Sequence, residues 1–283
     1  MSLYYRTVTA EVITNAVATL CVNANRLVTA DMQQAMEAAL TQEESAGGCD
    51  VLRLLLENYA VAGATGLSMC QDTGLAVVMV ELGQDLRIIG DLTAAIHSGV
   101  RQGYDTGYLR KSVVSHPLRR VNTGDNSPAI IHLSLVPGDQ LQLTLLPKGG
   151  GSENASALQM LKPSDGENGV LEFVLGRISE QGVNACPPLI VGVGIGSNFE
   201  GCALLAKHAL LRSIGQPSAD LDNARLEGDL LRRINALGIG PAGYGGTVTA
   251  LAVHVETAPC HIASLPCAVN IQCNAHRRAS VVL

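Results

Sequence analysis

The sequence predicts a mixed α/β protein in which a helical N-terminal layer packs on a β-sheet-containing core. Three observations predict it. Residues 7 to about 62 carry apolar side chains at helical spacing. Two continuous apolar runs of strand length follow, at 75–80 and 188–193. Helical patterns recur around both runs, so strands and helices alternate. No repeat, low-complexity tract or linker interrupts the 283 residues, and 1–283 reads as one unit. With six Tyr, two Phe and no Trp the core must be aliphatic, while thirty Gly and eight Cys place the distinctive chemistry in backbone and thiols.

Within the first segment, Val8, Val12, Ala16 and Leu20 recur every four residues as one apolar stripe. Thr29 as cap and Asp31 as first-turn acid open a second helix carrying Met32, Met36 and Leu40. A third runs from Asp50 through Leu52, Leu55, Leu56 and Tyr59. The run at 75–80 is short enough for a buried strand, and a helix from Asp91 to about Tyr104 follows it. A polar loop occupies 108–128. Residues 129–136 and 140–146 read as two strands, and Pro137-Gly138-Asp139 between them is a hairpin signal. Helix resumes around 167–181. The strand at 188–193 leads into Ser197-Asn198-Phe199-Glu200, a capping-box pattern that opens a helix through Leu211. A helix over about 220–236 stops at Gly238, a strand covers 247–255, and a cysteine-rich tail closes the chain.

Composition removes several function classes. Nineteen basic against 25 acidic residues leave a net charge of −6 with no basic run, which argues against nucleic acid. No apolar run reaches the ~18–20 residues of a membrane span. Arg6 and Glu11 stand where a signal peptide needs its apolar stretch. The expectation is a cytoplasmic protein with reduced thiols, so the cysteines point to metal, cluster or catalytic use rather than to disulfides.

Two glycine patterns mislead. Gly238-x-Gly240-x-x-Gly243 has dinucleotide-binding spacing but follows a predicted helix and precedes a strand, the reverse of what that fingerprint needs. Gly192, Gly194 and Gly196 do follow a strand, yet the third glycine of the fingerprint falls on Ser197 or Phe199. A third pattern, Lys148-Gly149-Gly150-Gly151-Ser152, has two readings. Consecutive N–H groups without Cβ atoms around them can converge on an anion such as a small carboxylate, or the glycines are a flexible strand-to-helix turn.

No Cys-x-x-Cys pair occurs, which removes zinc ribbons and thioredoxin-type motifs. Cys21 and Cys202 fall on predicted helices and read as small buried hydrophobes. Cys70, Cys186 and Cys273 instead sit in polar loops: Cys70-Gln71-Asp72-Thr73-Gly74, Asn184-Ala185-Cys186-Pro187-Pro188 and Asn270-Ile271-Gln272-Cys273-Asn274. Far apart in the chain, they converge only if the fold brings them together. Three thiolates, rather than four, would leave one iron of a 4Fe-4S cluster without a protein ligand, the open position a Lewis-acid catalyst requires.

Several ordered motifs between about residues 50 and 278 resemble the iron–sulfur-dependent (class I) fumarate hydratases and L(+)-tartrate dehydratases, in their alpha subunit or N-terminal domain. They are Cys70-Gln71-Asp72-Thr73-Gly74, Arg110 with Asn122-Thr123-Gly124-Asp125-Asn126, and Lys148-Gly149-Gly150-Gly151-Ser152. Cys186-Pro187-Pro188, Gly238-Ile239-Gly240, Gly243-Tyr244-Gly245-Gly246 and Glu256-Thr257-Ala258-Pro259-Cys260-His261 extend the set. The resemblance implies a 4Fe-4S cluster on Cys70, Cys186 and Cys273 with one iron open to substrate. It implies Gln71, Arg110 and the backbone at Gly150 as substrate-binding groups, and Asp72 and His261 as the acid–base candidates. The reaction implied is reversible hydration of a small dicarboxylate, with fumarate/(S)-malate favoured and L(+)-tartrate the alternative. A cluster-free, non-catalytic binding subunit is the reading from another class.

Residues 196–200 and the Pro241-Ala242 pair depart from the single-chain fumarases, at positions that bear on substrate choice. The family's second domain is expected from a separate beta subunit, giving an αβ hetero-oligomer. His97, His132, His208 and His254 are expected to be structural.

Overall fold

Leucine, valine, isoleucine and alanine dominate the two largest cores given for the described residues, the outcome for a chain without tryptophan. The computed structural model describes residues 5–283, whose contacts fall into two compact units. Unit 1 comprises the N-terminal residues up to Val28, Val61–Gly149 and Arg277–Leu283. Unit 2 comprises Thr29–Ala60 and Gly150–His276.

In chain order, β1 (Arg6–Thr9), α1 (Ala10–Arg26), α2 (Ala30–Gln42) and α3 (Ala46–Thr65) come first. Then follow β2 (Leu75–Gly83), β3 (Leu86–Ile89), α4 (Leu92–Thr106), β4 (Ile130–Val136) and β5 (Leu141–Lys148). The next stretch holds α5 (Gly150–Asn154), β6 (Ala157–Leu161), α6 (Gly166–Gln181), β7 (Leu189–Ser197) and α7 (Phe199–Ala209). It ends with α8 (Leu221–Asn235), β8 (Ala250–Cys260), β9 (Leu265–Gln272) and β10 (Ala279–Val282). The mixed α/β class is the one predicted.

The N-terminal segment departs from expectation in its first turn. Residues 6–9 are a strand, paired in parallel with β3, and three helices follow it. The Val8–Leu20 stripe therefore fails, because Val8 has strand geometry and Val12 is exposed. The buried face of α1 is Ile13, Val17, Leu20, Cys21 and Ala24, a helical i, i+4, i+7, i+8, i+11 row. Thr9 caps this helix by accepting from Val12 N. At α7 the cap is Asn198, which accepts from Gly201 N at 2.9 Å, not the preceding Ser197.

The predicted hairpin at 129–146 does not form. β2 inserts between the two strands, parallel to β4 and antiparallel to β5, and β10 completes the order β10-β5-β2-β4. The Pro137–Gln140 connection instead crosses the end of β2, where Gly83 N donates to Gln140 O, Gln84 N to Val136 O and Asp85 N to Gly138 O. Turn residues announced a tight reversal, but a fully buried apolar strand competes better for both partners.

Unit 2 repeats this arrangement. Its sheet runs β6-β9-β7-β8, with the central β7 parallel to β8 and antiparallel to β9. The 261–264 turn joins β8 to β9 across the end of β7. The β6 and β9 strands lay outside the sequence reading, as did β3 and β10. Gly192 and Gly194 on β7 bring α7 directly onto the sheet backbone. A Cβ at Gly192 would lie 2.1 Å from Ala206 O, and one at Gly194 would lie 2.2 Å from Cys202 O. These glycines serve helix–strand contact, and Gly238 follows α8 and precedes β8, so neither set is a dinucleotide fingerprint.

Glu43 ties the α2–α3 turn to the 247–248 segment of unit 2. Its buried carboxylate accepts from Ser45 N (2.8 Å), Thr247 N (3.0 Å) and Val248 N (2.8 Å). Burial alone would raise its pKa, but these amides outweigh it and hold the carboxyl below its ordinary 4.5. A depressed folded pKa makes this stabilisation complete above pH 4.5 and progressively lost as pH falls below it. Glu43→Gln turns an NH₂ toward amide donors and should cost about 1.5–3 kcal/mol near neutral pH. Denaturant titration should show that gap to wild type closing as pH drops below 4.5; a gap independent of pH would remove the carboxylate from the clamp.

Candidate active site

The loop between α3 and β2 carries three of the residues singled out in the sequence. Cys70 and Asp72 are half-buried, and Gln71 is exposed. Every carbonyl from 72 to 74 is taken by a side chain of unit 1. Arg277 Nη1 donates to Asp72 O at 2.6 Å. Tyr104 Oη donates to Thr73 O at 2.7 Å and Gly74 O at 3.1 Å. Asn126 Nδ2 donates to Gly74 O at 3.1 Å. Burial raises the Tyr104 phenol well above its ordinary value and keeps it a donor. Gly74 is required here: its φ is +70°, and a Cβ would meet the Lys148 carbonyl at 2.5 Å.

Arg110 joins this group. Thr73 Oγ1 donates to Arg110 O at 2.8 Å, and the Arg110 side chain is exposed. The 108–128 loop is held by its own side chains rather than by ladders. Asn126, wholly buried, accepts from Ser112 N (2.6 Å) and Val113 N (3.2 Å) while donating to Gly74 O. Asn122 Nδ2 donates to Lys111 O. The Ser127 N–H, which Asp125 accepts, holds that carboxyl below its ordinary range.

Lys148 ends β5 opposite Leu75 and is buried. Gly149 follows, and a methyl there would stand 3.2 Å from Asp72 Oδ2 and 3.5 Å from Arg277 Nη2. The three glycines form a strand-to-helix turn, since α5 begins at Gly150.

Unit 2 brings Cys186 and Cys273 together. Asn274, next to Cys273, donates to Cys186 O from its N (3.1 Å) and its Nδ2 (2.9 Å). Tyr59 Oη donates to Asn274 O at 2.6 Å. Burial raises the Tyr59 phenol, and the neighbouring Cys273 thiol adds to that rise. Cys186 has left-handed backbone geometry, φ 55° and ψ 71°, a strained setting for a side chain and one concentrated at functional loops. α5 lies alongside: Ser152 Oγ donates to Gln272 Oε1, and a Cβ at Gly151 would stand 3.0 Å from Asn184 O. Gly150, Cys186 and Cys273 are therefore neighbours within unit 2.

His261 is not with them. It follows β8, level with Ser197, whereas Cys186 precedes β7 and Cys273 follows β9. The nine residues of β7 separate the two ends, roughly 25 Å at strand rise. Strand order decides this, and twelve residues of sequence separation concealed it. His254, buried on β8, shares a hydrogen bond with Ala209 O, and His97 accepts from Ala129 N, both in structural settings.

The eight thiols divide by environment. Burial raises Cys21 and Cys267 to about 12, and it raises Cys202 as well, so these stay protonated core side chains. Half-buried Cys49 on α3 donates to Glu43 O, exposed Cys260 at the end of β8 to Ser264 O, and Cys70 to Gln71 Oε1. Cys70, Cys186 and Cys273 lie on loops outside the helices and strands. Among the described residues no three His, Cys, Asp or Glu groups stand close enough to hold a single ion. A cluster asks for something else, since its thiolates bind separate irons, and Cys186 and Cys273, neighbouring soft donors on loops of unit 2, have the chemistry for two of them.

Arg277, Tyr104, Asn25, Tyr59 and Asn274 were not anticipated as site residues. Asn274 stood out only as the neighbour of Cys273, and Tyr59 and Tyr104 only as helix residues.

The chain was compared with known proteins. The family model described as Fumarate hydratase (Fumerase) matches residues 14–282. A Methanocaldococcus jannaschii protein named "Putative L(+)-tartrate dehydratase subunit alpha" is 43% identical over 256 residues, covering 88% of this chain and 90% of its own. L(+)-tartrate dehydratase subunit alpha of Escherichia coli O157:H7 is 34% identical over 245 residues, covering 85% of this chain and 80% of its own. That of Escherichia coli strain K12 is 33% identical with the same coverage.

Asn126→Ala strips partners from two amides and a carbonyl and should destabilise unit 1 by about 2–4 kcal/mol. Chemical denaturation measures it; a loss under about 0.5 kcal/mol, the scale of a surface change, would mean that Asn126 does not hold the loop.

Proposed function

Because the chain belongs to the fumarate hydratase family, we propose that it is the cluster-bearing alpha subunit of a hydro-lyase acting on a small hydroxy-dicarboxylate. The supporting observation is a family match over 14–282, which includes Cys70, Gln71, Asp72, Arg110, Gly150, Cys186 and Cys273. The relatives' names move the preferred substrate from fumarate/(S)-malate to L(+)-tartrate, with fumarate kept as the second candidate because the family description names it. Their designation as alpha subunits supports a beta partner, giving an αβ hetero-oligomer. No helix among the described residues is long and apolar enough to cross a membrane.

Cys70, Cys186 and Cys273 would hold a 4Fe-4S cluster with one iron lacking a protein ligand. Bound there, the cluster supplies a Lewis acid for the hydroxyl that leaves or arrives. The protein's own groups do the rest. Removing water takes a proton from carbon and a hydroxyl from its neighbour, so negative charge grows beside a carboxylate. Arg110, exposed and anchored through its carbonyl by Thr73, offers a bidentate cation to that carboxylate. The Gln71 amide and the N–H at Gly150 add neutral donors that stabilise the same charge. Asp72, half-buried and steadied by the bond from Gly74 N to Oδ1 at 3.0 Å, is the group assigned the proton. His261, separated from Cys186 and Cys273 by the length of β7 within unit 2, stays the second acid–base candidate.

Production with a beta chain, anaerobic loading with iron and sulfide, and assay on L-tartrate and fumarate side by side test the reading. Turnover is expected on L-tartrate above fumarate. Cys70→Ser, Cys186→Ser and Cys273→Ser should each lose the brown chromophore, and Cys21→Ser should keep it. A colourless wild-type protein would support a non-catalytic binding subunit instead, and equal loss in all four variants would show the ligands misassigned. Arg110→Ala should retain the chromophore and lose about 10–150-fold in kcat/KM, the value of one charge-assisted bond.

A further inference from the structure

Arg277 is among the largest fully buried side chains of the protein, with 1% of its surface exposed. Its Nη1 donates to two acceptors, Asp72 O at 2.6 Å and Asn25 Oδ1 at 2.8 Å. Asn25 is itself fixed, since its Nδ2 donates to Cys21 O and its backbone O accepts from Met69 N. The Nε of Arg277 makes no hydrogen bond among the described residues. Sealing a guanidinium in a core with one donor unused is costly, and a leucine would pack there without that cost. The arginine therefore does something that packing alone does not explain.

We infer that Arg277 is a positioning residue that sets the Cys70-Gln71-Asp72 loop through the Asp72 carbonyl, with Asn25 as its backstop. The inference rests on the proposed hydro-lyase reading for its catalytic consequence, but not for the geometry. Of the three carbonyls at 72–74, the first is held by Arg277, while Tyr104 and Asn126 hold the others. The carbonyl of Asp72 is bonded to the Cα that bears its side chain and is two residues from Cys70. A shift there turns the carboxylate and the thiol together, which a shift at Gly74 does not. Gly149 leaves the space this requires: a methyl on it would crowd Asp72 Oδ2 at 3.2 Å and lie in contact with Arg277 Nη2 at 3.5 Å.

Arg277→Lys keeps the charge and most of the volume, but its shorter, flexible ammonium lacks the rigid planar fork that fixes the direction of the two bonds from Nη1. In the cluster-free αβ complex, hydrogen exchange in the 70–74 segment is expected to rise about tenfold or more, with β7 and β9 unchanged. In the loaded complex kcat should fall about 10–100-fold while KM stays within about threefold, because a misplaced loop costs orientation in the transition state. Should Arg277→Lys fail to fold, Gly149→Ala crowds Asp72 beside Arg277 Nη2 and should raise exchange at 70–74 at smaller amplitude, unchanged exchange again counting against the inference. Unchanged exchange at 70–74, or a lower melting temperature with unchanged kcat, overturns the inference and leaves Arg277 a stabilising residue. If the wild-type complex turns over no dicarboxylate, the functional reading fails, and the exchange measurement alone decides for or against Arg277.

Discussion

A loop that must present a thiol, an amide and a carboxylate outward has to hide its backbone, and a hidden carbonyl must be hydrogen-bonded. At residues 72–74 no ladder is available, because β2 begins only at Leu75. Arg277, Tyr104 and Asn126 provide the bonds from three distant parts of the chain. Much else in unit 1 follows from this. Gly74 must lack a Cβ so that the loop can close on the Lys148 carbonyl, and Thr73 extends the hold to Arg110. Each bond is worth only about 1 kcal/mol net, but leaving such a group unpaired costs more. The exposed candidate groups are thus placed by buried ones.

The two units share a sheet plan that locates these loops. In each, a buried central strand pairs in parallel on one side and antiparallel on the other, and the connection between its partners crosses its far end. The candidate residues occupy the near end in both cases: before the central strand lie Cys70 and Cys186, and just after its antiparallel neighbour lie Gly149-Gly150 and Cys273. Sheet ends are where the backbone leaves its ladder and side chains can be offered without breaking pairing. The same plan puts His261 on a far-end connection.

Local patterns carried the parts of the fold that local forces decide. The helices at Asp91, at Asp220 and around 167–181 were legible because a cap or an apolar period marks them. Strand pairing was not legible, since Pro137-Gly138-Asp139 looks the same whether its flanking strands meet or another strand comes between them. Within the site, thiols in polar loops stood out from thiols on helices, and the burial of Cys21 and Cys202 agrees with that contrast. Arg277 and Asn25 were invisible because their role is to satisfy acceptors hundreds of residues away in sequence, which no spacing records.

The proposed reading turns on one cluster that Cys70, Cys186 and Cys273 would hold together, its remaining iron open to substrate. Mössbauer spectroscopy of the αβ complex, loaded anaerobically with enriched iron, tests it most directly. The account predicts a 4Fe-4S signature in which one iron differs from the other three and shifts when L-tartrate is added. Four equivalent irons indifferent to substrate, or iron bound without a cluster signature, would contradict it.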